Sequence, residues 1–153
     1  MALKITEFLP PSCVRVPLLG SEKLAVITEL VDLLAANRCF TNRDIVLNAV
    51  LARERVRSTG VGEGLAVPHA KSPACPKLTL AVGKPAEPLE FESADGRPCR
   101  LVVLLAGPTD NAGPHLHVLA GISRLWLSAA FREAVLQAET AEALYAAFER
   151  FQT

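Results

Sequence analysis

Leu101-Val102-Val103-Leu104-Leu105-Ala106 is the stretch that decides the fold class. Its unbroken apolar character predicts a strand buried on both faces, not one with a wet side. Such a strand needs a layer above it and another below. Working outward, Leu78 to Gly83 reads as a second strand, and Asp95-Gly96 as a turn between Phe91 and the apolar stretch. Leu65 to Val67 is a short apolar segment stopped by Pro68. Helical patterns occupy the two ends. Ser21 can cap a helix to Asn37, in which Leu24, Ile27, Val31 and Leu34 recur at helical spacing. Thr41 starts a second, with Asp44 three residues later in the manner of a capping box and Val46, Ala49 and Val50 as its apolar stripe. Gly113-Pro114 opens a third, with proline at the favoured first position, and Ser128 and Thr140 cap two more, ending near Phe151. Residues up to Gly20 hold three of the eleven prolines and read as irregular chain packed on the surface; Ser58 to Gly64 reads as a loop. Strands in the middle and helices at both ends predict a three-layer α/β/α sandwich, formed by residues 1–153 as one domain.

Composition narrows the function. Half of the 153 residues are hydrophobic, and sixteen basic residues balance sixteen acidic ones. A zero net charge argues against generic nucleic-acid binding and against anionic membranes, where a basic excess does the attracting. The N-terminal MALKITEFLPPSCVRVP has neither a long apolar run nor a cleavage site, and the Leu101 stretch is far too short to span a bilayer, so stable membrane insertion is not expected. Cys13, Cys39, Cys75 and Cys99 lie far apart with no C-x-x-C pair; free thiols in a cytoplasmic protein are the reading.

The chemistry candidates are few. Of the three histidines, His69 follows Pro68 directly after an apolar segment and a glycine-rich loop. Proline fixes its own φ and biases Val67 towards extended backbone, which holds the imidazole at a strand end. Histidine can serve as a neutral nucleophile at physiological pH. Position alone also leaves open a structural histidine satisfied by loop hydrogen bonds. Ser58, Thr59, Gly60, Gly62 and Gly64 form a loop whose N–H groups could turn towards an anion, although it is not a P-loop. Arg53 falls on the Val46 stripe at i+7, so its side chain either snorkels or meets an anion. Glu54 lies off that stripe and reads as solvated. In the third helix, His115, Val118, Leu119, Ile122 and Trp126 share one face, while His117 shares another with Gly121 and Arg124. His115 therefore points inward from a first turn that favours anions, and His117 outward.

The run Ala52-Arg-Glu-Arg-Val-Arg-Ser-Thr-Gly-Val-Gly-Glu-Gly-Leu-Ala-Val-Pro-His-Ala70 resembles the active-site segment of enzyme IIA proteins. These belong to the bacterial phosphoenolpyruvate-dependent phosphotransferase system, in its fructose/mannitol/nitrogen-related branch. The resemblance continues through His115-Leu-His-Val-Leu-Ala120 and covers nearly the whole chain. It implies that His69 carries the phosphoryl group, that Arg53 and His115 complete the active site, and that the fold is a mixed β-sheet between helical layers. It implies no metal and no organic cofactor. The partners it implies are an HPr-like donor and either a IIB-type acceptor or a regulated target protein. The chain reads as a stand-alone domain without attached IIB or IIC segments, and fructose-type transport and nitrogen-related regulation both fit.

On this reading neutral His69 attacks the donor's phosphohistidine in line, with Arg53, His115 and loop N–H groups balancing the charge of the moving group. A rival is a purely regulatory module switched by phosphorylation of His69. Another is a zinc protein using His69, His115 and His117, although the helix directs His117 away from His115. A protein donor must reach His69, so the ring should lie in a shallow depression with apolar residues as a docking rim. Gly60, Gly62 and Gly64 are expected to keep the approach open, so that a bulky charge at Gly62 or Ala70 cuts transfer and leaves stability largely intact.

Overall fold

The computed structural model describes residues 4–110 and 112–152; residues 1–3 of the N-terminal stretch, Asn111 and Thr153 lie outside the described residues. Its centre is β6 (Leu101–Gly107), every residue of which is buried. Antiparallel to β6 runs β5 (Thr79–Pro85), paired from Thr79 opposite Ala106 to Gly83 opposite Val102. β1 (Val14–Leu18) lies parallel to β5 as an edge strand. On the other side of β6 come β3 (Leu65–Ala66) and β4 (His69–Lys71), both parallel to it. β2 (Gly60–Gly62) closes that side as an antiparallel partner of β3. The sheet is thus mixed.

Five helices flank it. α1 (Lys23–Ala36) packs on β5 and on α2 (Arg43–Val56), and α2 also reaches β4. α4 (Ala129–Gln137) packs against both α3 (Ala112–Leu127) and α5 (Ala141–Phe151), and α5 lies on β1. Phe131 of α4 is the hub of an aromatic cluster, with ring centroids 6.1 Å from Trp126, 5.1 Å from Phe148 and 5.9 Å from Phe151, all edge-on. Such pairs add to the area they bury. Each of the fully buried Leu, Val and Phe side chains of this core contributes roughly 1.5–3 kcal/mol. The fold class expected from the Leu101 stretch is therefore the one observed.

Several local expectations need correcting. α1 begins at Lys23 after Glu22, and no side chain caps it; Ser21 lies one residue further out. Its buried line is Val26, Ile27, Leu30, Val31 and Leu34, and Leu24 is 58 % exposed. Asn42, not Thr41, caps α2, its side chain accepting the Ile45 N–H at 3.2 Å. Ser128 and Thr140 cap α4 and α5 as expected. The N-terminal stretch is not irregular throughout, since it supplies β1; Pro17 fits there because an edge strand can spare an N–H. The 58–64 loop likewise contains β2. Gly62 has φ +102°, a region that suits glycine, and Asp95 steadies the hairpin by accepting the Glu63 N–H at 2.8 Å. All four cysteines are buried free thiols, and burial pushes those of Cys13 and Cys99 up to about 12.

Candidate functional site

β3 and β4 are two halves of one line. Leu65 pairs with Leu101 and His69 with Leu105, so the register beside β6 is the same on both sides of Val67-Pro68. Pro68 has no N–H to give, and its carbonyl accepts from Leu105 at 2.9 Å. The interruption places His69 at the start of a short strand with its ring half-buried. Its Nδ1 lies 2.7 Å from the Val67 carbonyl oxygen. A carbonyl only accepts, so Nδ1 carries the proton and the neutral ring presents the lone pair of Nε2.

His115 stands in the first turn of α3, 3 % exposed, with its ring centroid 5.5 Å from that of His69 and the planes at 66°. Gly107, at the end of β6, borders it: a Cβ there would make ordinary contact with His115 Nδ1 at 3.7 Å but would press on Leu78 at 2.9 Å. That Nδ1 is buried and has no hydrogen-bond partner among the described residues. Burial, then the charges of His69 and Lys71, push His115 down to about 4. Burial also lowers His69 from its ordinary 6.5; the Val67 bond and Glu54 oppose the shift, while Arg53 and Lys71 reinforce it. Both rings are therefore neutral at pH 7, as a nucleophile requires.

Arg53, half-buried near the end of α2, donates from Nη1 to the Arg57 carbonyl at 2.9 Å. It is close enough for its charge to act on His69. His117 is exposed, in a cleft beside Gly121 and Arg124, so α3 keeps it away from the His69–His115 pair. Among the described residues no group of three metal-ligating side chains is assembled. No described helix is long and apolar enough to cross a membrane.

A family model for the phosphoenolpyruvate-dependent sugar phosphotransferase system, EIIA 2, matches residues 7–151. The chain belongs to this family. As an EIIA protein it is a phosphoryl carrier of that system. It is 36 % identical to the fructose-specific EIIA component of Haloferax volcanii over 118 residues, covering 77 % of each chain. It is 34 % identical to the fructose-specific EIIABC component of Bacillus subtilis over 93 % of its own length, but spans only 22 % of that longer protein. The crystal structure of the nitrogen regulatory protein IIA-Ntr from Neisseria meningitidis superimposes with a TM-score of 0.87 at 29 % identity, covering 94 % of this chain and 98 % of that one.

Three sequence readings of this EIIA site change. The loop donors expected to face an anion are engaged inside the protein: Thr59 gives its N–H and hydroxyl to Glu54, Gly60 gives its N–H to Ser58 Oγ, and Ser58 gives its hydroxyl to the Phe91 carbonyl. Gly62 and Gly64 face Asp95 and Arg100. Glu54, read as solvated, is 8 % exposed and paired with Lys23 at 2.7 Å. The signal that finds it is the spacing of four in Val46, Val50 and Glu54, the buried line of α2. Nor is Ala70 an open surface position. It is 6 % exposed and paired with Ala106, so a bulky charge there disrupts the sheet. At Gly62 the positive φ strains any side chain.

Proposed function

We propose that an HPr-like donor presents its phosphohistidine to His69, and that Nε2 of His69 takes the phosphoryl group. The observation that carries this reading is the Nδ1–H bond to the Val67 carbonyl on a half-buried, neutral ring. The new P–N bond forms on Nε2 while the donor's P–N bond breaks, and the donor nitrogen keeps that electron pair. Nδ1 retains its proton, steadied by Val67. Arg53 balances the charge of the group in flight and neutral His115 offers it a ring N–H, which is the help such transfers need. Ser58, Thr59, Gly60, Gly62 and Gly64 enter as the frame that holds the strand. The phosphoryl group then moves to a IIB-type acceptor in the cytoplasm, with residues 7–151 acting as one carrier unit and no metal or organic cofactor.

A regulatory role is a second reading, favoured by the likeness to IIA-Ntr. There the phosphorylated and free forms differ in the target protein they bind, without onward transfer.

The test supplies phosphoenolpyruvate, enzyme I and HPr to the chain. The wild type gains one acid-labile phosphoryl group, His69→Ala gains none, and Arg53→Ala is labelled about 10²-fold more slowly. Undiminished labelling of His69→Ala overturns the reading. Chase with a IIB component separates transport from regulation.

A further inference from the structure

Thr59 and Val67 stand opposite each other where β2 runs on beyond Gly60, because Gly60 pairs with Ala66 in the antiparallel register. In such a ladder alternate opposed couples exchange two hydrogen bonds, and the Val67 N–H bond marks this couple as one of them. Here only one is made: Val67 N–H donates to the Thr59 carbonyl at 3.0 Å. The reciprocal donor, Thr59 N–H, turns instead to Glu54 Oε2 at 2.9 Å, and the Thr59 hydroxyl joins it on Oε1 at 2.5 Å. The Val67 carbonyl is left for Nδ1 of His69.

We propose that Glu54 is a positioning residue for His69: by drawing off the Thr59 N–H it frees the Val67 carbonyl to fix the ring with its proton on Nδ1. This rests on the phosphocarrier reading for its consequence in transfer, but not for the tautomer itself. Lys23 is part of the device. Its ammonium sits 2.7 Å from Glu54 Oε2 and 4.9 Å from the centre of the Phe91 ring, and it holds the buried carboxylate in orientation. A neutral or apolar residue at 54 could join α2 to β2, but an apolar one would return the Thr59 N–H to Val67. The Thr59 N–H would then share the Val67 carbonyl with the ring and weaken its hold on Nδ1. The ring would be free to turn and to carry its proton on Nε2, which removes the nucleophilic lone pair from the side the donor approaches.

Three variants test this, each first checked for a cooperative melt. Glu54→Gln keeps an acceptor for the Thr59 N–H and serves as the conservative control. Lys23→Met/Glu54→Leu replaces the buried pair by apolar groups of similar volume, which a core commonly tolerates. Glu54→Ala is the third. Nitrogen NMR of the neutral His69 ring shows a single Nδ1–H form in the wild type and in Glu54→Gln, and a mixture of both tautomers in the double variant and in Glu54→Ala. Single-turnover transfer from phosphorylated HPr falls about tenfold or more in those two, with the half-saturating donor concentration changed by less than about twofold. An unchanged tautomer in either folded variant overturns the proposal. So does a wild-type through-bond coupling from the Thr59 N–H to the Val67 carbonyl carbon in place of the Glu54 carboxylate, a measurement that needs no variant. If the wild type accepts no phosphoryl group at all, the phosphocarrier reading fails, while the tautomer and coupling data still decide the role of Glu54.

Discussion

The two flanks of β6 are strands of one sheet and do different work. Towards β5 the ladder runs unbroken from Thr79 opposite Ala106 to Gly83 opposite Val102, and it lies wholly inside the core. Backbone donors and acceptors there satisfy one another, and nothing is left to act on a ligand. Towards β3 and β4 the same strand meets a line interrupted by Pro68, with Val67 deprived of half its pairing by the Glu54–Thr59 contact. One carbonyl is thereby released to a histidine. Reactivity in this molecule comes from a local subtraction from a sheet that is otherwise complete.

The comparison breaks most visibly if the β5 flank takes part in the chemistry. Leu104 is fully buried in β6. Leu104→Ala is expected to cost about 2–5 kcal/mol of stability, seen as a lower melting temperature and denaturation midpoint. Per folded molecule, phosphoryl transfer at a temperature well below the melt should stay at the wild-type rate. A matching fall in rate shows that β5 and β6 tune the site, and the division between the flanks then fails.

A smaller effect sharpens the same division, because the titrating groups sit on the site flank. His69 and His115 both have folded values below the ordinary 6.5, His115 at about 4. Below pH 6.5 the unfolded chain therefore binds more protons than the folded one, and stability falls as the pH drops towards 4. The His115 contribution is complete above pH 6.5, and roughly 2 kcal/mol of it is lost between pH 7 and pH 5. Denaturant melts at those two pH values measure the loss, and His115→Gln should show the shallower dependence. Equal slopes for the two proteins mean that His115 is not held neutral by its burial.

Sequence legibility also differs between the flanks. Leu101 to Ala106 announced a doubly buried strand through apolar continuity alone, and the five helices followed from periodicity and caps such as Ser128 and Thr140. β1 was hidden because Pro10, Pro11 and Pro17 mark its neighbourhood as irregular, and an edge strand tolerates what a central one does not. β2 was hidden by glycines, whose usual meaning is a turn. At the site, His69, Arg53 and His115 stand out as polar groups on apolar lines. Glu54 does not, since a carboxylate beside an arginine is most often solvated; its partners Lys23 and Thr59 come from other elements, and only tertiary structure brings them together.

The smallest expected effect concerns the residue nearest in sequence to the site and furthest from it in function. His117 follows His115 by two positions, about 200° around the helix, so the two cannot share a face. The structure has His115 at 3 % exposure against the His69 ring, while His117 is exposed beside Gly121 and Arg124. An exposed side chain with no hydrogen-bond partner among the described residues changes stability by less than about 0.5 kcal/mol when truncated. It also lies on the far side of α3 from the group in flight, so its removal contributes little to the barrier. His117→Ala should therefore melt like the wild type and accept the phosphoryl group at a rate within about twofold of it, since an i,i+2 pair on a helix does not interact. The measurement is the same labelling time course used for His69→Ala. A strong loss in His117→Ala with little change in a His115 variant would mean that α3 is rotated by about half a turn, and the pairing of His115 with His69 on which the site is built would have to be abandoned.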